Sequence, residues 1–415
     1  MSKCLRMSAS CISCFKRCKM AFFYQYMLGL RPVEETDALR IGSVYHMCRE
    51  IIGTMSTGVT ECWHKCHRRP KAMKSPCMIC GEMDGPGKLQ ADPIMQVMVY
   101  LNNYYESRPD WHSGEKMRAE RAMLLNAMVG YEWRYSADES ISMLGNEFKG
   151  EQPIFNPHTG EEVDDAVLVY VCDGIMKHEG MKKIREFKTT SKGVDSDSTF
   201  WQNLTLNIQP NMYIYCLQQA QRAGQLIPLG IKPDDPLISD IMYDVFHKPG
   251  IKPKALSQGD SKQFVEDGLY MGTEFTTNWQ MDNTVLEVDG EIADVKPGKK
   301  DGTFAIHETG GMYGARLLAD IVERPDFYLA RRNISKTEAD MKRTELQLYN
   351  IYQSIRSMER EHAWYHEEEA CEATFKCPFI GLCYNNIDVE GMLAAGQVPE
   401  GFTVYKREEK DASTT

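Results

Sequence analysis

An aspartate at the end of an apolar run and a glutamate two residues ahead of a lysine carry the densest chemistry in this sequence. Asp173-Gly174 closes the run Ala166-Val-Leu-Val-Tyr-Val-Cys172, and Glu186-Phe187-Lys188 lies in an alternating stretch from Lys182 to Thr190. Residues two apart in a strand share a face about 6.6 to 7 Å apart, so Glu186 and Lys188 point together while Phe187 faces the core. If Glu179-Gly180 is a two-residue hairpin loop, Asp173 falls directly opposite Glu186 and two carboxylates meet on one face. That arrangement suits phosphodiester hydrolysis: Asp173 and Glu186 hold Mg²⁺ or Mn²⁺, which polarises a phosphate and acidifies a water. Lys188 then orients that water or stabilises charge gathering on phosphorus. A surface hairpin with an ordinary cross-strand ion pair fits the same residues, because an Asp followed by Glu-x-Lys is common.

Three further residues bear on the choice. Gly42-Ser43-Val44-Tyr45-His46 presents a histidine within an apolar helical stretch, and Gln209 and Tyr213 stand four apart, on one face of a helix. Each also has a plain structural reading, His46 as a satisfied core histidine and Tyr213 as a core aromatic.

Those side chains need elements to hold them. An aromatic-rich segment from Phe22 to Leu30, a break at Pro32 and an apolar stretch from Leu39 to Ile52 predict two helices. Residues 55–90 carry Gly, Pro, Lys and four cysteines and read as an inserted loop. Helical patterns return over Ile94–Tyr105 and Glu115–Tyr131, and residues 147–188 turn to strand. Phe200–Ala220 reads as one helix in which Pro210 is tolerable only in the first turn. Ile241–Phe246 resembles a strand ended by Lys248-Pro249-Gly250. Near the C-terminus Ser335 and Glu338 have capping-box spacing ahead of a long amphipathic helix. The expected divisions are a helical segment over 1–54, a cysteine-rich zinc-binding insertion over 55–90 and a catalytic core over 91–255. An extension whose elements the sequence does not order covers 256–330, a helix with a cysteine cluster 331–390, and a tail 391–415, polar and disordered from Glu408.

Bulk composition narrows the classes. A chain of 415 residues, 42% hydrophobic, can bury a large core. A net charge of −11 excludes a generally basic nucleic-acid coat, so any nucleic-acid contact is local. The N-terminus lacks the pattern of a secretory signal, and no apolar run reaches the ~20 residues of a membrane helix. The expectation is a soluble protein of a reducing, cytoplasmic compartment, with no membrane partner. There, clustered cysteines serve better as thiolate metal ligands than as disulfides.

Taken in order, Gly-x-x-x-His, Asp-Gly, Glu-x-Lys and Gln-x-x-x-Tyr resemble the RecB-like exonuclease family of the PD-(D/E)XK nucleases. The opening Cys18-Lys-Met-Ala-Phe-Phe-Tyr-Gln-Tyr-Met-Leu-Gly-Leu is similar to that family's start, with Lys19 where a proline is usual. Tyr243-Asp-Val-Phe-His-Lys-Pro and Phe327-Tyr-Leu-Ala-Arg-Arg resemble phage-encoded members, which implies a bacterial or phage-infected cell. The likeness runs from Ser13 to about Asn386 and omits the cysteine insert and much of 256–310. It implies an α/β, restriction-endonuclease-like core, a mixed central sheet flanked by helices, with helical extensions and a metal-clamped C-terminus. It also implies that His46, Asp173, Glu186 and the Phe187 carbonyl ligate Mg²⁺ or Mn²⁺, that Lys188 is catalytic with Asp173 and Glu186, and that Gln209 and Tyr213 approach DNA. The implied activity is an exonuclease acting on DNA ends or single-stranded DNA in replication, recombination or repair, beside proteins of those processes. A DNA-end-binding scaffold that does not cut is the alternative.

Cys371, Cys377 and Cys383 are each separated by five residues and lack a fourth thiolate, for which Cys18 is the best candidate, with Cys11 and Cys14 as substitutes. The set resembles the iron-sulfur nucleases of the AddB and CRISPR-adaptation type and implies a [4Fe-4S] cluster. The first C-terminal gap is longer than the two residues usual there, which leaves zinc, or simply buried thiols, as readings of the same residues. Cys62-x₃-Cys66 and Cys77-x₂-Cys80 point to tetrahedral zinc, with His64 and His67 as alternative ligands. The basic residues Lys65, Arg68, Arg69, Lys71 and Lys74 in that loop either touch phosphate or are solvated. Cys48, Cys172 and Cys216 lie on apolar stretches and belong to the core.

Overall fold

The computed structural model describes residues 4–63, 76–83, 87–108, 114–280, 285–373 and 376–405. Six strands form its main sheet: β1 (Leu5–Met7), β2 (Ile141–Phe155), β3 (Glu162–His178), β4 (Met181–Thr190), β5 (Asp240–His247) and β6 (Leu329–Ser335). The sheet is mixed. β4 and β5 run parallel from Ile184↔Ile241 to Thr190↔His247, β6 pairs antiparallel with β5, and β2 runs antiparallel along most of β3.

The β3–β4 hairpin has the register the sequence predicts, from His178↔Met181 to Gly174↔Arg185. Its two-residue loop needs left-handed backbone twice, and Glu179 (φ 51°) and Gly180 (φ 82°) supply it. One expectation is corrected here. The ladder stops at Gly174↔Arg185, so Asp173 and Glu186 are not a paired position; β3 parts from β4 at that point and takes β1 as a parallel neighbour at Ala166–Leu168. The alternation of β3 also slips there, since Leu168, Tyr170 and Cys172 share one apolar core with Ile175. Across the gap on β2, Glu147 sits between the pairs Asn146↔Gly174 and Phe148↔Cys172 with φ 46°.

Helices cover both faces. On one, α1 (Ala9–Arg17), α6 (Ile208–Arg222) and α8 (Glu338–Glu361) pack Ile12, Leu217 and Ile355 against Ile184, Tyr243 and Val245. On the other, α2 (Asp37–Met55), α3 (Pro93–Glu106), α4 (Glu115–Tyr135) and α7 (Gly310–Glu323) enclose Phe187 and Phe246. Alternate residues of β4 therefore face different helix layers, which sends Glu186 and Lys188 one way and Arg185 and Phe187 the other. A smaller core around Phe264, Leu286 and Ile306 organises the region the sequence left unordered.

Three local expectations change. The single helix over 200–220 is two, α5 (Thr199–Leu206) and α6, because the Asn207 side chain caps α6 by accepting from the Gln209 amide at 2.8 Å. That break places Pro210 in a first turn, where its missing N–H costs nothing. At α8 the cap is Thr337 with Asp340, not Ser335 with Glu338, since Ser335 is already committed to β6 opposite Asp240. The predicted aromatic helix is a short turn, Lys19–Phe22, continued as a π-helix over Phe23–Met27. The tail from Glu408 lies outside the described residues. Among the described residues no helix is long and apolar enough to cross a membrane.

The face of β4 away from Glu186 is tied down by charge. Asp244, wholly buried on β5, accepts from Arg185 Nε at 2.8 Å, Arg331 Nε at 2.5 Å and Tyr131 Oη at 2.9 Å. Burial works to raise its pKa, but Arg185, Arg331 and Arg49 outweigh that and hold the carboxyl below the usual range. Removing one partner of such a group strands the others. Asp244→Asn is therefore expected to lower unfolding free energy by about 3–5 kcal/mol in urea titrations followed by circular dichroism. Because the folded pKa is depressed, this contribution is present above the ordinary aspartate range and fades as pH falls through it, more steeply in wild type than in the variant.

Candidate active site

The site forms where β3 and β4 part. From the α2 side, His46 Nδ1 lies 2.9 Å from Asp173 Oδ1. The other Asp173 oxygen accepts from the Phe187 amide at 2.6 Å, which ties β3 to β4 just beyond the end of their ladder. From the α6 side, Lys188 Nζ donates to Glu186 Oε1 at 2.7 Å and to Gln209 Oε1 at 2.9 Å. Gln209 Nε2 donates in turn to Glu186 Oε1 at 2.9 Å, with Tyr213 Oη 3.0 Å away. Gln209 and Tyr213 share a helical face, as their spacing requires, and the first turn of α6 brings that face to Glu186.

Glu186 is buried, and its second oxygen, Oε2, has no hydrogen-bond partner among the described residues. Burial first, and the nearby Asp173 charge second, push its carboxyl up to about 7 against the opposing pull of Lys188. An orphaned buried carboxylate oxygen is costly unless something positive meets it. Hard oxygen donors with one imidazole fit Mg²⁺ or Mn²⁺, so the donor set suits such an ion. The three side chains do not yet bring ligand atoms within 4.8 Å of one another, as a different trio does; His46 engages Asp173 while Lys188 and Gln209 engage Glu186.

That other trio is Cys62, Cys77 and Cys80, with Cys62 Sγ and Cys77 Sγ 3.7 Å apart. Tetrahedral zinc with bonds of about 2.3 Å separates its thiolates by roughly 3.8 Å. The turn that carries Cys77 and Cys80 is docked on α3, where Asn103 donates to the Met78 carbonyl at 3.1 Å and Gln96 to that of Ile79. Cys66, His64, His67 and the basic residues Lys65, Arg68, Arg69, Lys71 and Lys74 lie outside the described residues.

At the C-terminal set, Cys18, Cys371, Cys377 and Cys383 come near one another. Burial, then the neighbouring Cys377, Cys18 and Cys371, push the Cys383 thiol up to about 11. No three of their sulfurs lie within 4.8 Å of one another, as those of the first trio do. Cys14 also feels Cys377, while Cys48, Cys172 and Cys216 are wholly buried.

Sequence reasoning missed a second acidic pair. Glu50, one turn along α2 from His46, lies beside Glu147, and burial followed by that neighbouring carboxyl pushes its own carboxyl up to about 7. The nearby Trp63 side chain pulls the other way and lowers it. The four-residue spacing of His46 and Glu50 was the available signal.

A profile of the PD-(D/E)XK nuclease superfamily matches residues 6–384. With the mixed sheet and its flanking helices, this shows that the chain belongs to the PD-(D/E)XK nuclease superfamily. A search of curated proteins finds no match.

A proton on Glu186 competes with any cation for the same oxygens. Below about pH 7 that proton is retained, so cation affinity is expected to rise with pH and level off above it. Mn²⁺ should raise the melting temperature more at about pH 8 than at about pH 6. Glu186→Gln should remove both the stabilisation and its pH dependence; an unchanged Mn²⁺ response in the variant argues that the ion sits elsewhere.

Proposed function

We propose that this protein is a Mg²⁺- or Mn²⁺-dependent deoxyribonuclease of the RecB-like branch, an exonuclease hydrolysing phosphodiester bonds at DNA ends or in single-stranded DNA during replication, recombination or repair. The observation that carries this reading is the meeting of His46–Asp173 with Glu186–Lys188–Gln209 at the split between β3 and β4. His46, Asp173, Glu186 and the Phe187 carbonyl are the ligands in this reading. When bound, the cation supplies positive charge to a phosphate and acidity to a water. The chain's own groups do the rest. Lys188, held by two acceptors, points an ammonium at the place where phosphate charge develops. Gln209 fixes Lys188 and Glu186 relative to each other, and Tyr213 backs Gln209 beside the DNA path.

Two further centres belong to the proposal. Cys62, Cys77 and Cys80, with Cys66, hold structural zinc, for which the 3.7 Å sulfur separation speaks. Cys18, Cys371, Cys377 and Cys383 hold a [4Fe-4S] cluster that clamps the first helices to the last. What supports this is that the four thiols influence one another, and four thiolates are the usual ligands of such a cluster.

End-labelled single- and double-stranded DNA incubated with the protein and Mg²⁺ or Mn²⁺ tests the reading. Wild type is expected to shorten the label, and Lys188→Ala to do so at least ~100-fold more slowly while binding DNA as well as wild type. Equal rates discard the role of Lys188. Wild type that holds DNA ends with either metal and leaves them intact supports the scaffold instead.

A further inference from the structure

The zinc reading leaves open what a metal so far from the reacting phosphate is for, and the neighbours of Cys62 give an answer. Cys62 and Cys77 are buried in the same core as Val44, Tyr45, Cys48 and Ile51 of α2, so the cysteine turn shares its core with the helix that carries His46. Trp63 follows Cys62 directly, and its side chain reaches Glu50 closely enough to lower that carboxyl's pKa. Glu50 lies one turn beyond His46 on the same helical face. Its other partner, Glu147, stands on β2 between the residues paired with Cys172 and Gly174, level with Asp173 on β3. A second contact fixes the same approach. A Cβ on Gly53 of α2 would lie 2.7 Å from Asn146 Oδ1, so the bare helix backbone there lies directly against the Asn146 side chain of β2.

We propose that the ion held by Cys62, Cys77 and Cys80 positions the active-site helix: by fixing Trp63 it anchors Glu50 to Glu147 and so sets His46 against Asp173. The geometry explains the need. His46 and Asp173 come from different layers of the fold, and their 2.9 Å contact depends on how closely α2 sits on the β2–β3 pair. Groups that orient a metal ligand without touching the metal commonly change its affinity by about 10- to 100-fold. Trp63 is therefore a positioning residue, and the cysteine ion is its anchor. The inference rests on the zinc reading and on the ligand set His46, Asp173 and Glu186.

Trp63→Phe separates the positioning claim from the zinc claim, because it removes the indole N–H and leaves the cysteines intact. The variant is expected to keep the zinc content of wild type by elemental analysis and the same melting temperature without Mn²⁺. It should bind Mn²⁺ roughly ten-fold more weakly in calorimetric titrations and give an altered Mn²⁺ paramagnetic resonance spectrum. Wild-type affinity and spectrum in this variant overturn the positioning claim and leave the zinc site standing. Cys80→Ser is expected to lose zinc and to weaken Mn²⁺ binding at least as much. Full retention of zinc in that variant overturns the zinc reading beneath the proposal.

Discussion

Two carboxylates of like charge are held close together in a largely dry part of this protein, and the rest of the structure is arranged around that repulsion. Glu186 is buried with one oxygen unmatched, and the charge of Asp173 makes its ionisation harder still. In water such a pair would separate. Here the Phe187 amide and His46 fix Asp173, Lys188 and Gln209 fix Glu186, and each group arrives from a different element. The parting of β3 from β4 makes this possible. A continuous ladder would confine each side chain to one face, whereas the split lets the α2 layer and the α6 layer reach the same point.

Rigidity on the far side of β4 complements that opening. Arg185 and Phe187, between the active-site positions in sequence, are gripped by Asp244, Tyr131 and Arg49, whose guanidinium stacks 3.4 Å from the Tyr131 ring and 4.8 Å from that of Phe187. The strand that presents Glu186 and Lys188 is thus fixed by its alternate residues. A cation site needs such support, since small displacements of its donors cost affinity and rate.

Much of this was legible in the chain. The hairpin register followed from the Glu179-Gly180 loop and the alternation around it, and the shared helical face of Gln209 and Tyr213 followed from their four-residue spacing. What escaped depended on contacts between distant segments. The slip of β3 at Asp173-Gly174 is matched by the left-handed backbone of Glu147 on the next strand, and nothing local announces either. Asn207 reads as an ordinary helical residue until its side chain is seen capping α6. Ser335 and Thr337 are both good caps, and the choice is made by the pairing of β6 with Asp240. Arg185 and Asp244 look like surface charges in a strand because sequence alone does not show that each is buried against the other.

The superfamily is shown by the match over residues 6–384, and its chemistry is expected where β3 and β4 part. Crystals of the protein grown with Mn²⁺ and measured at the manganese absorption edge test the central claim directly. An anomalous peak within bonding distance of Asp173, Glu186 and His46, about 2 Å from their nearest donor atoms, is the result this account predicts. A manganese-loaded protein that cleaves DNA with its ion bound elsewhere, and with Glu186 still bonded only to Lys188 and Gln209, contradicts it.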